Sequence, residues 1–70
     1  MTTKEIHFAD LGKGLREIRG DRTLKELGVI LGQQISYLCE IENGNKTPSL
    51  NMLQRYGRAL NTKINLVLGG

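Results

Sequence analysis

The stretch TLKELGVILGQQISYLCEIENG, residues 23–44, decides the fold of this 70-residue chain. Its apolar residues recur at spacings of three and four, which is typical of two short helices. Gly28 leaves room for close helix packing, and Gly32 supplies the positive φ that a sharp turn between the helices requires. Leu38 and Ile41 then lie on one face of the second helix and return to a shared core. We therefore predict two helices joined by a tight turn.

Capping residues extend this prediction to both sides of the stretch. Asp10 and Ser49 are candidate N-caps for a first and a fourth helix. Thr23 and Glu26, three residues apart, form a capping box at the start of the second helix. Helices are accordingly expected at about residues 10–19, 23–31, 34–42 and 49–61. The buried face of the last one is expected to comprise Leu50, Leu53, Tyr56, Gly57 and Leu60.

The C-terminal residues 63–68, KINLVL, have a different pattern. Ile64, Leu66 and Leu68 alternate with other residues, and this period of two predicts a β-strand. Residues 6–8 could form another short extended segment. A single strand has no partner in an otherwise helical chain, so we expect residues 63–68 of two copies to pair as antiparallel strands in a homodimer.

Length and composition narrow the classes of function. Seventy residues form one small domain, taken as residues 1–70, with too little interior for a substrate-sized pocket, so we do not expect an enzyme. Cys39 is the only cysteine and His7 the only histidine. An internal disulfide and a closed four-ligand zinc site are therefore excluded, and we expect no cofactor. Without a bilayer-spanning run or an apolar signal core in residues 1–10, we expect no membrane partner and a cytoplasmic location.

The charge of the chain suits an anionic partner. The formal net charge is +3, but residues 33–44 contain two acidic and no basic residues. The rest of the chain holds all ten basic residues against five acidic ones. If the partner is DNA, attraction to phosphate must therefore come from outside the third helix.

The window LGQQISYLCEIENGNKTPSL resembles the helix-turn-helix family of the phage Cro and lambdoid repressors, also called the xenobiotic-response-element type. The shared pattern consists of Gly32, Ser36-Tyr37-Leu38, Ile41-Glu42-Asn43-Gly44 and Pro48-Ser49-Leu50. The resemblance covers about residues 11–61, with the motif itself at about residues 23–43. It implies an all-α, lambda-repressor-like DNA-binding domain of four or five helices. The C-terminal strand is similar to that of antitoxin-type members, whose dimers pair such strands.

The chain departs from the family pattern at three places. Leu24 stands where the family usually has a glutamine that reaches a phosphate, so one expected contact is lost. Gly28 replaces the usual alanine at the tight helix contact. The connection at residues 20–22 is about two residues shorter than usual.

On this alignment the third helix enters the major groove of double-stranded DNA with its N-terminal half and outer face. The side chains aimed at base edges are expected to be Gln34, Ile35, Ser36, Cys39 and Glu40. Phosphate contacts set the register without reading sequence. These contacts are expected from Arg22, Lys25, Tyr37, Asn43, Asn45, Lys46 and Thr47. Backbone N–H groups in the loop after the third helix, which holds the last four of these residues, can also face the DNA strand.

The resemblance gives Glu42 a structural role. In the family the matching glutamate pairs with an arginine of the first helix, and Arg19 is the best match here, with Arg16 second. Such a brace would orient the third helix and neutralise an acid that would otherwise repel phosphate.

Three functions compete for this sequence. The leading hypothesis is a homodimeric transcriptional regulator, a repressor, that binds a palindromic operator. The alternative is an antitoxin-like module whose main partner is a toxin or another protein, with DNA binding secondary. A non-specific architectural protein is disfavoured because the third helix is acidic.

Overall fold

The computed structural model describes residues 2–68, in which four helices lie between two short strands. The four predicted helices are confirmed within two residues at each end. None of them is long and apolar enough to cross a membrane. The elements are β1 (Thr2–His7), a 3-10 turn (Phe8–Asp10), α1 (Leu11–Arg19), α2 (Leu24–Leu31), α3 (Ile35–Glu42), α4 (Leu50–Ala59) and β2 (Thr62–Val67).

Side-chain caps fix the starts of α2 and α4. The hydroxyl of Thr23 accepts a hydrogen bond from the backbone N–H of Glu26 at 3.0 Å. The hydroxyl of Ser49 accepts from the N–H of Met52 at 3.1 Å. Each bond satisfies one of the N–H groups that lack a partner in the first turn of a helix. The predicted caps at Thr23 and Ser49 are confirmed. The capping box is formed only in part, because the Glu26 carboxylate accepts from the hydroxyl of Thr23 at 3.3 Å and not from its backbone N–H.

The predicted cap at Asp10 is wrong. Asp10 precedes α1, but its side chain makes no capping hydrogen bond. Its backbone, with φ −112° and ψ 26°, is not in the extended conformation that an N-cap adopts. The reason is that the 3-10 turn Phe8–Asp10 leads directly into α1.

A close backbone approach and a left-handed residue form the turn between α2 and α3. A Cβ at Gly28 would lie 2.7 Å from the carbonyl oxygen of Gln33, so this position accepts no side chain without a shift. Gly32 ends α2 with φ 67°, a conformation that glycine adopts at little cost. The predicted tight turn is confirmed, and it determines the angle at which α3 leaves α2.

The core lies where the four helices meet β1. The helix α4 contributes to it differently from the sequence prediction, because Leu50 is 73% exposed and Met52 is buried instead. Leu50 is the first residue of α4, and its side chain lies on the rim of a groove beside β2. The buried apolar residues are Ile6, Leu11, Leu15, Leu27, Leu31, Leu38, Ile41, Met52, Leu53 and Tyr56.

The C-terminal strand has a partner within its own chain, which corrects the sequence prediction. β1 and β2 form a two-stranded parallel sheet, in register from Thr2 opposite Thr62 to His7 opposite Val67. Ile6 anchors β1 because its side chain is buried in the core, at 3% exposure. In β2, by contrast, Ile64 and Leu66 are only partly buried and pack against that core.

Leu68 lies just beyond the end of β2 and is 74% exposed. Because β2 pairs with β1, the premise that residues 63–68 form an unpaired strand, from which we inferred a dimer, is wrong. A parallel pair needs a long crossover, and here the four helices supply it.

Replacing Ile6 tests whether β1 belongs to the folded unit. I6A should lower the free energy of unfolding by about 2–5 kcal/mol, because it removes a buried side chain and leaves a cavity. I6V should cost about 0.5–1.5 kcal/mol and serves if I6A does not fold. The measurement is urea unfolding followed by circular dichroism. The matched control is F8A, at an exposed neighbour, which should change stability by only about 0.5 kcal/mol. Equal effects of I6A and F8A would mean that β1 is not packed on the core.

Candidate nucleic-acid interface

The helix α3 has one buried face and one face open to solvent. Leu38 and Ile41 are buried at 0% and 1% exposure and hold α3 against the core. The structure places all five predicted base-contacting residues away from that buried face. The exposed ones are Gln34, Ile35 and Ser36. The partly buried ones are Cys39 and Glu40.

Gln34 occupies the N-cap position of α3 but makes no capping bond with its side chain. Its backbone carbonyl instead accepts from the N–H of Leu38 at 3.2 Å. The amide of Gln34 therefore remains available for another partner. Ile35 is 48% exposed at the start of the helix, which is a large apolar side chain to leave in water.

Glu42, at the end of α3, is the one buried charged residue among those described, with 5% exposure. The structure brings it together with Arg19 of α1, as the resemblance implied. Nε and Nη2 of Arg19 donate to Oε2 and Oε1 of Glu42, both at 2.9 Å. This is the two-pronged pairing that a guanidinium forms best with a carboxylate. The hydroxyl of Tyr56 in α4 donates to Oε2 at 2.5 Å, so the carboxylate joins three helices.

The pKa values of Tyr56 and Arg19 are both raised, so that both side chains keep the protons that they donate to Glu42. Burial, with the hydrogen bond to Glu42, raises the pKa of Tyr56 well above its usual range. The hydrogen bond to Glu42 raises the pKa of Arg19. Tyr56 therefore stays protonated in the folded chain. Its contribution to stability is present below about pH 10, where free tyrosine ionises, and is lost as the pH rises further.

The loop after α3 uses its backbone N–H groups to end the helix. The N–H of Asn43 donates to Cys39 O at 2.9 Å, and that of Gly44 donates to Ile41 O at 3.1 Å. The N–H groups of residues 45 and 46 both donate to Glu40 O. The N–H groups of residues 43–46 are therefore not available to a DNA strand, because the last carbonyls of α3 already accept from them. The side chains of residues 43 and 45–47 are all exposed and remain candidates for contact with DNA phosphates.

Two residues predicted to contact different parts of DNA pair with each other. Nζ of Lys46 lies 3.4 Å from Oε2 of Glu40, and both side chains are about half exposed. The same Nζ lies 5.6 Å from the centre of the ring of Tyr37, which is partly buried against the core. DNA that engages either charge must compete with this surface ion pair, which is a weak interaction.

The remaining predicted phosphate contacts lie near the start of α2. Arg22 and Lys25 are exposed there, and Arg22 O accepts a 2.6 Å hydrogen bond from Nη1 of Arg19. Leu24, which replaces the family's glutamine, is partly buried and packs on the core. Through its bond to Arg22 O, Arg19 of the brace also holds the connection that precedes α2.

A helix-turn-helix family model matches residues 13–67, most of the chain. The chain belongs to the Cro/C1-type helix-turn-helix family. No curated protein and no solved structure matches it significantly. As a member of this family it is a DNA-binding transcription regulator in general terms. In this helix-turn-helix domain, α2 and α3 correspond to the two helices of the motif.

Among the polar contacts that sequence reasoning missed are two made by side chains of α4. Tyr56 was expected only as an apolar part of α4, although a buried tyrosine hydroxyl usually requires a partner. That requirement was the signal that could have found its bond to Glu42. Nη2 of Arg55 donates to Leu31 O at 2.5 Å and so satisfies a carbonyl at the end of α2. No local pattern marks Arg55 for this role.

Removing the carboxylate of Glu42 tests the brace. E42A should lower the free energy of unfolding by about 3–5 kcal/mol, because Arg19 keeps only 17% of its side chain exposed and would lose its partner. The control E40A removes an acid from the exposed pair with Lys46 and should cost no more than about 1 kcal/mol. A double-mutant cycle of R19A and E42A measures the coupling in urea unfolding. Additive losses would reject the pairing of these two side chains.

Proposed function

We propose that this chain is a homodimeric, cytoplasmic repressor that recognises a palindromic operator by inserting α3 into the major groove. The observation that carries the proposal is the exposed face of α3 in a helix-turn-helix domain. That face carries polar, apolar and acidic side chains but no basic one, which suits the reading of base edges and not general attraction to phosphate. Repression would follow from occupancy of a promoter, which excludes the polymerase.

Each proposed base contact has a chemical rationale. Gln34 can pair with adenine, Ser36 can donate or accept, and Glu40 can accept from the amino group of cytosine. Ile35 can pack against a thymine methyl group. Cys39 completes the face as a small neighbour of these side chains.

The proposed dimer uses the free edge of β2. β1 covers only one edge of β2, and no other strand within residues 2–68 covers the second. A groove of about 470 Å³ lies between α4 and β2, and none of its lining residues comes from β1. The exposed Leu50 borders this groove, and the exposed Leu68 follows the strand. Antiparallel pairing of two β2 strands would cover both apolar side chains.

A two-fold axis of this kind suits the operator. The two recognition helices should lie about 34 Å apart, one turn of B-DNA, so that they enter successive major grooves on one face. Selection of bound sequences from random duplex DNA tests this directly. We expect a palindrome whose half-sites are about 10 base pairs apart between their centres. A consensus without symmetry, or no enrichment at all, would contradict the proposal.

A variant at Leu68 tests the dimer without removing β2, which β1 needs as its partner. L68D should give a monomer in sedimentation, because it places a charge in the proposed strand interface. F8D is the matched control, since Phe8 is also exposed but precedes α1, and it should leave the dimer intact. A dimer that survives L68D would exclude this interface.

Specificity at Glu40 is best measured where Lys46 is absent, because the two pair with each other. Comparing K46A with K46A/E40A removes the effect of releasing Lys46. The loss of Glu40 should then relax the preference at one base pair of each half-site by about 1–3 kcal/mol, measured by base-by-base competition at fixed salt. Tighter binding to all sequences alike would mean that Glu40 only repels phosphate.

The second candidate function is an antitoxin-like module that binds a toxin or another protein. The groove beside β2 favours it in one respect, because Arg58 and Lys63 line it and no acidic residue does. An acidic extended segment of another protein would match this charge better than a second β2, which carries Lys63. The DNA selection and the oligomeric state of the wild type separate the two candidate functions. A chain that selects no DNA sequence and stays monomeric before any substitution would favour the protein-binding function.

A further inference from the structure

Arg16 brings a cation from α1 to the end of the recognition helix. Its Nη2 donates to Oδ1 of Asn43 at 2.9 Å, and its Nε lies 3.7 Å from Oε1 of Glu42. The side chain is 58% exposed, so the guanidinium faces water while one edge is held. The sequence assigned Arg16 only as the second choice for the brace.

The charge of Arg16 is not needed to neutralise Glu42. Arg19 already donates two 2.9 Å hydrogen bonds to that carboxylate, and Tyr56 donates a third. The two arginines and one glutamate leave a net positive charge at the surface. Because Arg19 is mostly covered and Arg16 is mostly exposed, this charge lies on Arg16.

The backbone donors of residues 43–46 and the side chain of Asn43, at this end of α3, are already used within the chain. The backbone N–H groups of residues 43–46 donate to carbonyls of α3. The side chain of Asn43 is used at both of its polar atoms, since Nδ2 donates to Sγ of Cys39 at 3.4 Å and Oδ1 accepts from Arg16. The one hydrogen bond that the side chain of Arg16 donates within residues 2–68 uses Nη2, so Nη1 makes no hydrogen bond to the described residues.

We propose that Arg16 binds a DNA phosphate beside the end of α3 and that Asn43 positions it there. The inference rests on the proposed function and replaces the direct phosphate contact expected from Asn43. A guanidinium can donate two parallel hydrogen bonds to phosphate, and holding it in place beforehand reduces the entropy lost on binding. The hydrogen bond from Asn43 to Cys39 in turn fixes the amide on the recognition helix.

Salt dependence is the measurement that tests this inference. For binding of the wild type and of R16A to a random duplex, the slope of log K against log salt should be shallower in R16A by about 0.9, the value for one phosphate contact. The affinities for the selected operator and for random duplex should fall by the same factor. K13A is the matched control because Lys13 is an exposed cation of α1 that lies beside β1, and its slope should not change. Equal slopes for R16A and K13A would overturn the inference.

Two further variants separate the charge of Arg16 from its positioning by Asn43. R16K keeps the charge, so it should keep the slope while losing part of the affinity. N43A should weaken binding in the wild-type background but add nothing to R16A, because its role is to hold Arg16. If N43A instead weakens binding further in the R16A background, at an unchanged salt slope because its amide is neutral, Asn43 touches phosphate itself and the inference is wrong. If the wild type binds no duplex, the proposed function fails before any variant is compared.

Discussion

A single buried carboxylate holds the parts of this domain in their relative positions. Glu42 ends α3, and its two oxygens accept from Arg19 of α1 and Tyr56 of α4. A buried charge is costly unless it is paired and hydrogen-bonded, and within the described residues no buried side-chain polar atom lacks a partner. Geometry adds a second constraint, because a Cβ at Gly12 would lie 2.6 Å from the carbonyls of Ile41 and Glu42. The pairing and the close approach together fix α1 on the end of α3.

The placement of the outer face of α3, the proposed recognition surface, follows from this arrangement. With α3 held at its C-terminal end by Glu42 and at its start by the turn after Gly32, the outer face is presented without help from a partner. The loop ends the helix with its own N–H groups, so the cations near it come from side chains, Arg16 on α1 and Lys46 in the loop. Lys46 is paired with Glu40. Arg16 donates to the neutral amide of Asn43 and lies 3.7 Å from Glu42, whose charge Arg19 already neutralises. The acidic character of α3 is thus offset by cations on neighbouring segments.

The sequence predicted what local chemistry determines. Thr23 and Ser49 are caps whose bonds span three residues, and the turn at Gly32 depends on one φ, so short patterns were sufficient. The pairing of Arg19 with Glu42 spans 23 residues and came only from the resemblance. The pairing of β1 with β2 spans 60 residues in a parallel register, and nothing in the alternation of residues 63–68 distinguishes a partner in the same chain from one in a second copy. The pair of Glu40 and Lys46 was missed because each was assigned to DNA separately, although they lie six residues apart.

Amide hydrogen exchange of E42Q tests most directly whether this carboxylate positions α3. The substitution keeps the shape of the side chain but removes its charge and one acceptor. Local opening appears as faster exchange in one segment relative to the others. We expect amides of α3, such as those of Leu38 and Ile41, to exchange at least about tenfold faster relative to that of the α2 core residue Leu27. A loss of about 1.4 kcal/mol of local stability has that effect. Exchange that accelerates equally in all helices, or does not change, would contradict a specific role of Glu42 in holding the recognition helix.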